Sequence, residues 1–436
     1  MKNTICLLLL LALAVGCRQD PQPVTQTEGT TENLVMADPT GQGMSDERLD
    51  RIDSMLHRAI AGDQIPGAVA LVARNGKIVL HKAYGLANVR DSLPFRPDGI
   101  FRIASQTKAI TATAVMMLWE EGRFRLDDPI ADYIPEFADT GVLDTFREAD
   151  SSFTTTPLET PITIRHLLTH TSGIGYGMID GDPRFRKAYA KAGIVDAFTA
   201  RPVTLAENIP KLARMPLHHE PGKGWTYSEG LDVLGYFVEL VSGKPFDVFL
   251  KERIFDPLGM VDTWFYLPED RAERLVPVQY WDPDDGDWRP FTTAVFDIDY
   301  PKQGARTYFA GGAGLSSTAI DYAAFLQMYL NGGEYNGQRL LSRTTIETMM
   351  ANQIGDLWSG GPKDYGLAFA IVNPDGVAQG GEGGIGTFDW GGYFNTQYFA
   401  DPGEQLIGIL MKQTQGAGKD ETGWKFRQMV FAAIDD

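Results

Sequence analysis

Ser105 and Lys108 lie three positions apart in Phe101-Arg102-Ile103-Ala104-Ser105-Gln106-Thr107-Lys108, and the apolar residues Ala112, Val115, Met116, Leu118 and Trp119 follow at helical spacing. On such a helix the two side chains share a face one turn apart. A serine hydroxyl needs a base within hydrogen-bond reach, and a lysine can serve when burial or nearby positive charge lowers its pKa. The helix start adds partial positive charge for an oxyanion forming at the serine. The chemistry would be attack on an ester or amide carbonyl through an acyl-enzyme. Taken alone, a Ser-x-x-Lys match recurs by chance, and the competing reading is a helix start with an exposed lysine.

Other chemistries find less support. No Gly-x-Ser-x-Gly occurs, which counts against the nucleophile elbow of an α/β-hydrolase. His166 and His170 are four apart, but Leu167-Leu168 replace the glutamate of a zinc-binding His-Glu-x-x-His, so packing roles are expected. Asp282-Pro-Asp-Asp-Gly-Asp287 carries its glycine one place early for a calcium loop and reads as a hairpin turn between Trp281 and Trp288. The only cysteines, Cys6 and Cys17, lie at the N-terminus, so the folded region has no cysteine nucleophile, disulfide or thiolate metal site. No metal or organic cofactor is required. A net charge of -18, with no basic run, makes nucleic acid a poor partner.

The elements that must position these residues begin after an export signal. Met1-Lys2-Asn3, an apolar run from Ile5 to Val15, then Gly16-Cys17 form a secretory signal too short to span a bilayer permanently. Ala14-Val15-Gly16-Cys17 resembles the lipobox of bacterial lipoproteins, with Leu13 one place further back than usual. Cys17 would then carry the lipid, and the protein would sit anchored in the bacterial cell envelope; ordinary signal-peptidase cleavage is the alternative. Residues 18 to 43 are polar, without apolar period, and read as a tether.

Beyond the tether, Leu49, Ile52, Met55, Leu56 and Ile60 mark an amphipathic helix over Asp46 to Ile60, with Ser45 able to cap it. Strands Gly67 to Arg74 and Lys77 to Tyr84 flank Asn75-Gly76, a strong hairpin signal. Ser105 to Met260 is dominated by helical patterns with long irregular connections, notably 138 to 160 and 176 to 201. Strand-like segments follow around 276 to 280 and 288 to 293, then a helix at 317 to 331. Strands near 366 to 372, 390 to 400 and 405 to 412 precede a last helix at 421 to 434. The pattern is α+β: a sheet part from about 44–104 and 270–436, with a helical insert of about 105–269.

The order of several segments is more specific than any one of them. Ile65-Pro-Gly-Ala-Val, Phe101 to Thr111, Leu126-Asp-Asp-Pro-Ile, His166 to Gly173, Pro221 to Gly230, Pro257-Leu-Gly-Met260, Gly311 to Thr318, Asp389-Trp-Gly-Gly392 and Tyr398 to Pro402 together resemble the serine β-lactamase and penicillin-binding-protein superfamily, in its class C-like hydrolase and esterase branch. The resemblance implies an antiparallel sheet flanked by helices, joined to a mostly helical subdomain, with the nucleophile at their junction. It also implies that Ser105 is the nucleophile, Lys108 its partner, and Tyr227 the tyrosine of the second motif, relaying the proton to the leaving group. Trp390-Gly391-Gly392 matches the third motif, where glycines let the strand approach substrate and the amides of Tyr393 and Ser105 form the oxyanion hole.

Two departures bear on substrate. Glu229 stands where the family's second motif has asparagine, and Trp390 where lactamases have a cationic or hydrogen-bonding residue. A β-lactam would lose partners there and meet repulsion, which favours a carboxylic ester. Glu229 can equally be a carboxylate in the first turn of its helix, beside Asp232. A DD-peptidase or β-lactamase, and an envelope lipoprotein that keeps the fold without turnover, are the other readings. The oligomeric state and the natural substrate are open.

Overall fold

A computed structural model describes residues 34–380, 383–416 and 418–436. The signal, Cys17 and most of the tether fall outside the described residues. The tether's end is structured: Leu34 is buried, and β1 (Val35–Met36) pairs in parallel with β3 (Lys77–Asn88). The folded region therefore starts earlier than Met44, because that backbone finds an open strand edge to bond.

The main sheet has nine strands. β2 (Gly67–Arg74) joins β3 through Asn75-Gly76, both at positive φ as a primed turn requires. β4 (Lys363–Tyr365), β5 (Ala370–Val372), β6 (Phe388–Gly392), β7 (Thr396–Asp401) and β8 (Leu406–Met411) come from the other end of the chain. The order is β1-β3-β2-β8-β7-β6-β5-β4, with Leu93–Pro94 on β3, and every pairing but β1 with β3 is antiparallel. The expected single strand over 390 to 400 is two, because residues 393–395 turn the chain, with Asn395 at φ 69°.

The apolar run of β2 is buried at all eight positions because both faces of the sheet are covered. Ala68, Ala70 and Val72 face a core made with α1 (Asp46–Ala61) and α5 (Thr422–Ala432). Val69, Leu71 and Ala73 face a second core that holds α2 (Thr107–Glu120) and α4 (Ala319–Leu330). β8 divides in the same way, Leu406 and Leu410 against Ile407, Ile409 and Met411. The two-residue side-chain period of a strand thus links two hydrophobic cores through one sheet. α1 begins at Asp46, with the Ser45 hydroxyl accepting the Arg48 N–H.

The helical insert packs α3 (Gly230–Ser242) against α2. It is not wholly helical: 138 to 160 contains an antiparallel hairpin, Gly141–Arg147 with Ser152–Pro157. The stretch 176 to 201 contains the helix Pro183–Ala192, capped by the Asp182 side chain. Asp282 to Asp287 is the expected hairpin turn, with Trp281 opposite Trp288.

Phe237 on α3 is fully buried, its ring edge-on to Phe124 at 4.9 Å and Tyr133 at 4.8 Å. Phe237→Ala is expected to destabilise the fold by about 3–5 kcal/mol, since the cavity is closed in on all sides. Urea denaturation of the folded chain measures this.

Candidate active site

Ser105 sits at a strained turn. Between the short strand Phe101–Arg102 and α2, Ala104 adopts φ 44°, a left-handed conformation that costs an alanine energy, and Ser105 lies in the one-turn helix Ala104–Gln106 that follows. The turn is held from below by α4, where the Tyr322 hydroxyl donates to the Gln106 carbonyl at 3.0 Å. From the side, the Leu315 N–H donates to the Thr107 hydroxyl at 3.1 Å.

Lys108 points back along α2 toward Ser105, as their three-residue spacing requires. Its ammonium lies 3.4 Å from Ser105 Oγ, and it donates to the Gly312 carbonyl at 2.7 Å and the Tyr176 hydroxyl at 3.2 Å. Only 1% of the residue is exposed. Two aromatic faces complete its surroundings, Tyr227 at 4.6 Å and Tyr176 at 4.9 Å from the nitrogen. Gly312 must be glycine for this contact: a Cβ there would stand 2.4 Å from Asp232 Oδ2.

Tyr227 stacks on Tyr176 with ring centroids 5.2 Å apart, and its hydroxyl receives the Trp390 indole N–H at 3.4 Å. The expected residues Ser105, Lys108, Tyr227 and Trp390 therefore converge from the start of α2, the segment before α3 and strand β6. At the end of β6, a Cβ on Gly392 would come 2.4 Å from the Ile103 carbonyl, so glycine there lets the strand lie directly on the nucleophile turn. This contact seats the end of β6 against Ile103, two residues before Ser105, with Tyr393 next in the chain. Gly391 precedes Gly392 in the same strand.

Tyr176 was not among the residues expected to act, yet its hydroxyl takes one of the three lysine bonds. Burial and the neighbouring Tyr227 raise its pKa well above the usual phenol value, so it stays protonated. The loop carrying it is fastened by two carboxylates: Asp180 accepts the Tyr176 N–H at 3.0 Å, and Asp196 accepts the Met178 N–H at 2.8 Å.

Glu229 has no exposed surface, and neither carboxyl oxygen has a hydrogen-bond partner among the described residues. Burial, then the nearby Asp196 and Asp232, push its pKa well above the carboxylate range, leaving a neutral acid at the start of α3. The geometry thus gives Glu229 a place inside the insert and no surface toward the cleft. Asp232, one turn on, accepts the Gly312 N–H at 3.2 Å and has its pKa raised to about 6 by burial, with Lys108 opposing the rise.

His170 and His166 serve structure. Ser228 N–H donates to His170 Nδ1 at 3.2 Å, and burial, then Lys108, hold the ring's pKa well below its usual value. Thr163 N–H donates to His166 Nδ1 at 3.2 Å in a capping box. Among the described residues no group of His, Cys, Asp and Glu is arranged to hold a metal ion, and no helix is long and apolar enough to cross a membrane.

A strained serine turn, a buried lysine and a tyrosine at the junction of an antiparallel sheet and a helical insert fit a serine hydrolase of the β-lactamase fold. The family profile described as Beta-lactamase matches residues 52–431, so the chain belongs to the β-lactamase family. It is similar to Esterase EstB of Burkholderia gladioli, 34% identical over 87% of this chain and 94% of that one. Lovastatin esterase of Penicillium rubens is 29% identical over 82% of this chain and 91% of that one. Among solved structures, EstCE1, a hydrolase with promiscuous acyltransferase activity, shares the fold with a TM-score of 0.73 at 24% identity, covering 89% of this chain and 98% of that one.

The folded Asp232 binds its proton more tightly than an ordinary aspartate, so its contribution to stability is full below about pH 4 and is lost as the pH rises through about 6. Asp232→Asn cannot titrate. The stability of the unmodified chain relative to this variant should fall between about pH 4 and 7 by a few kcal/mol, at about 1.4 kcal/mol per pKa unit. Urea titrations at each pH measure it, and a difference independent of pH would contradict the assignment.

Proposed function

We propose that this chain hydrolyses carboxylic esters through a Ser105 acyl-enzyme. The observation that carries the reading is the buried Lys108 ammonium, 3.4 Å from Ser105 Oγ and sealed by two tyrosine rings. Ser105 Oγ attacks the ester carbonyl and forms the C–O bond while its proton passes to the Lys108 and Tyr227 pair, which enters the step one proton short of ammonium plus phenol and so has a free base to receive it. The carbonyl oxygen becomes an oxyanion facing the amides of Ser105 and Tyr393. Collapse breaks the bond to the alcohol, which leaves with the relayed proton. Water, deprotonated by the same pair, then attacks the acyl-enzyme and frees the acid and the serine.

The named esterases to which the chain is similar support an ester over a lactam or peptide. So does the third-motif position, where Trp390 turns its indole N–H to Tyr227 and offers no cation for a β-lactam carboxylate. The nearby cations Lys363 and Arg427 both bind Asp389 Oδ2, at 2.8 and 2.6 Å. Trp390 and the glycines beside it would line the ester subsite.

Ser105→Ala is expected to abolish hydrolysis of a short p-nitrophenyl ester and labelling by a fluorophosphonate, with circular dichroism unchanged. Lys108→Met and Tyr227→Phe should each lower kcat by about 10²- to 10⁴-fold. Turnover of nitrocefin or a D-Ala-D-Ala peptide at a rate comparable to the ester would favour the lactamase or peptidase reading. A chain that neither turns over ester nor labels would be a binding protein.

We also infer that the chain is exported and lipid-anchored through Cys17, on the strength of the apolar N-terminal run and the lipobox-like Ala14-Val15-Gly16-Cys17. Cells expressing Cys17→Ser should lose incorporation of an alkyne fatty acid into the protein, and the protein should leave the membrane fraction. Equal labelling of both forms would point to ordinary cleavage.

A further inference from the structure

The oxyanion hole proposed above draws its two donors from segments nearly three hundred residues apart in the chain. Their separation must be held to a fraction of an ångström for both to meet one oxygen. The Gly392–Ile103 contact sets how closely they approach, but something must also fix their lateral register.

The segment 412–415, just after β8, touches both sides. Toward the nucleophile, the Gln413 side chain forms a two-point clasp on Arg102: its Oε1 accepts the Arg102 N–H at 3.2 Å, and its Nε2 donates to the Arg102 carbonyl at 3.1 Å. Arg102 stands three residues before Ser105, immediately ahead of the strained turn. Toward the other donor, the Thr414 N–H donates to the Phe394 carbonyl at 3.1 Å, and the Gln415 amide donates to the Tyr393 carbonyl. The Asn395 amide, at the positive-φ corner of the same turn, donates to Thr414 Oγ1 at 2.9 Å and Asp420 Oδ2 at 2.8 Å.

This segment is itself anchored. Lys412 is fully buried and paired with Asp420, and it also donates to Thr422 Oγ1 at 2.9 Å. The Gln413 carbonyl accepts the Gln279 N–H at 2.9 Å. The Gln413 side chain is 1% exposed; its Nε2 also donates to the Lys412 carbonyl at 3.0 Å, and its two bonds to Arg102 do the work of a strand pairing where the strand has ended.

We propose that Gln413 and Asn395 are positioning residues that set the register between the Ser105 and Tyr393 amides. The inference rests on the reading of those amides as the oxyanion hole. A register error would leave substrate binding intact and weaken only interactions made as the carbonyl oxygen acquires charge.

The test uses the full folded chain with two variants. Gln413→Met keeps the length of the side chain but can neither accept the Arg102 N–H nor donate to the Arg102 carbonyl. Asn395→Gly keeps the backbone conformation and removes both amide bonds. Each is assayed with an aryl ester and its thionoester, whose sulfur accepts hydrogen bonds poorly, and thermal melts confirm that the variants are folded. Both are expected to lower kcat for the oxygen ester by about tenfold or more with KM little changed, and to shrink the oxygen-to-thiono rate ratio in step. Unchanged kcat and an unchanged ratio in both variants, alongside a strong oxygen preference in the unmodified chain, would overturn the positioning role and leave the hole itself standing. An unmodified chain that turns over the two esters equally would instead remove the oxyanion reading, and the positioning role with it.

Discussion

The buried amine of Lys108 organises the candidate active site. Placing an ammonium out of contact with water costs several kcal/mol unless acceptors are arranged around it beforehand. Lys108 meets that condition through the Gly312 carbonyl, the Tyr176 hydroxyl, Ser105 Oγ and two ring faces. Each partner comes from a different part of the chain. The glycine-rich segment before α4, the loop after His170 and the segment before α3 must all be in place before the charge is satisfied.

The acids behind the lysine follow from the same constraint. Asp232 reaches Lys108 indirectly, by accepting the N–H of Gly312, the residue whose carbonyl binds the ammonium. Glu229, further in, meets no donor and becomes neutral instead. Two carboxyl groups three residues apart thus take different forms, because one finds a hydrogen-bond donor and the other does not. That is why Glu229, whose identity in the sequence suggested a role toward substrate, belongs with the packing of the insert.

Much of this was readable in the sequence, and the unreadable part has a physical cause. The helix that begins at Ser105 and Lys108 and the two strands of the Asn75-Gly76 hairpin follow from local spacing. Ser105, Lys108, Tyr227 and Trp390 could be singled out because each lies in a short motif whose order resembles a known family. Tyr176 lies in no such spacing. Its hydroxyl meets Lys108 only because Asp180 and Asp196 fasten the loop, a contact made by tertiary structure alone. The helix 183–192 did leave a signal, Asp182-Pro183 at its start and Gly193 at its end, but its short apolar pattern was masked by the irregular sequence around it. The hairpin 141–157 was missed because its strands are largely exposed and lack a clean alternation. Gln413 was invisible for a related reason: a lone glutamine has no motif, and its clasp on Arg102 spans most of the chain.

The strand order carries a consequence for how the protein comes into being. β2, near the start of the fold, is paired with β8, near its end, and the strand that approaches Ser105 is added through β8 and β7. Such distant pairings close late and slowly. A ribosome that has made the first three hundred residues has made Ser105 and Lys108 but not yet the strand that packs against their turn. The seat of Gly392 against Ile103 therefore takes shape only after β7 and β8 have been made and have paired.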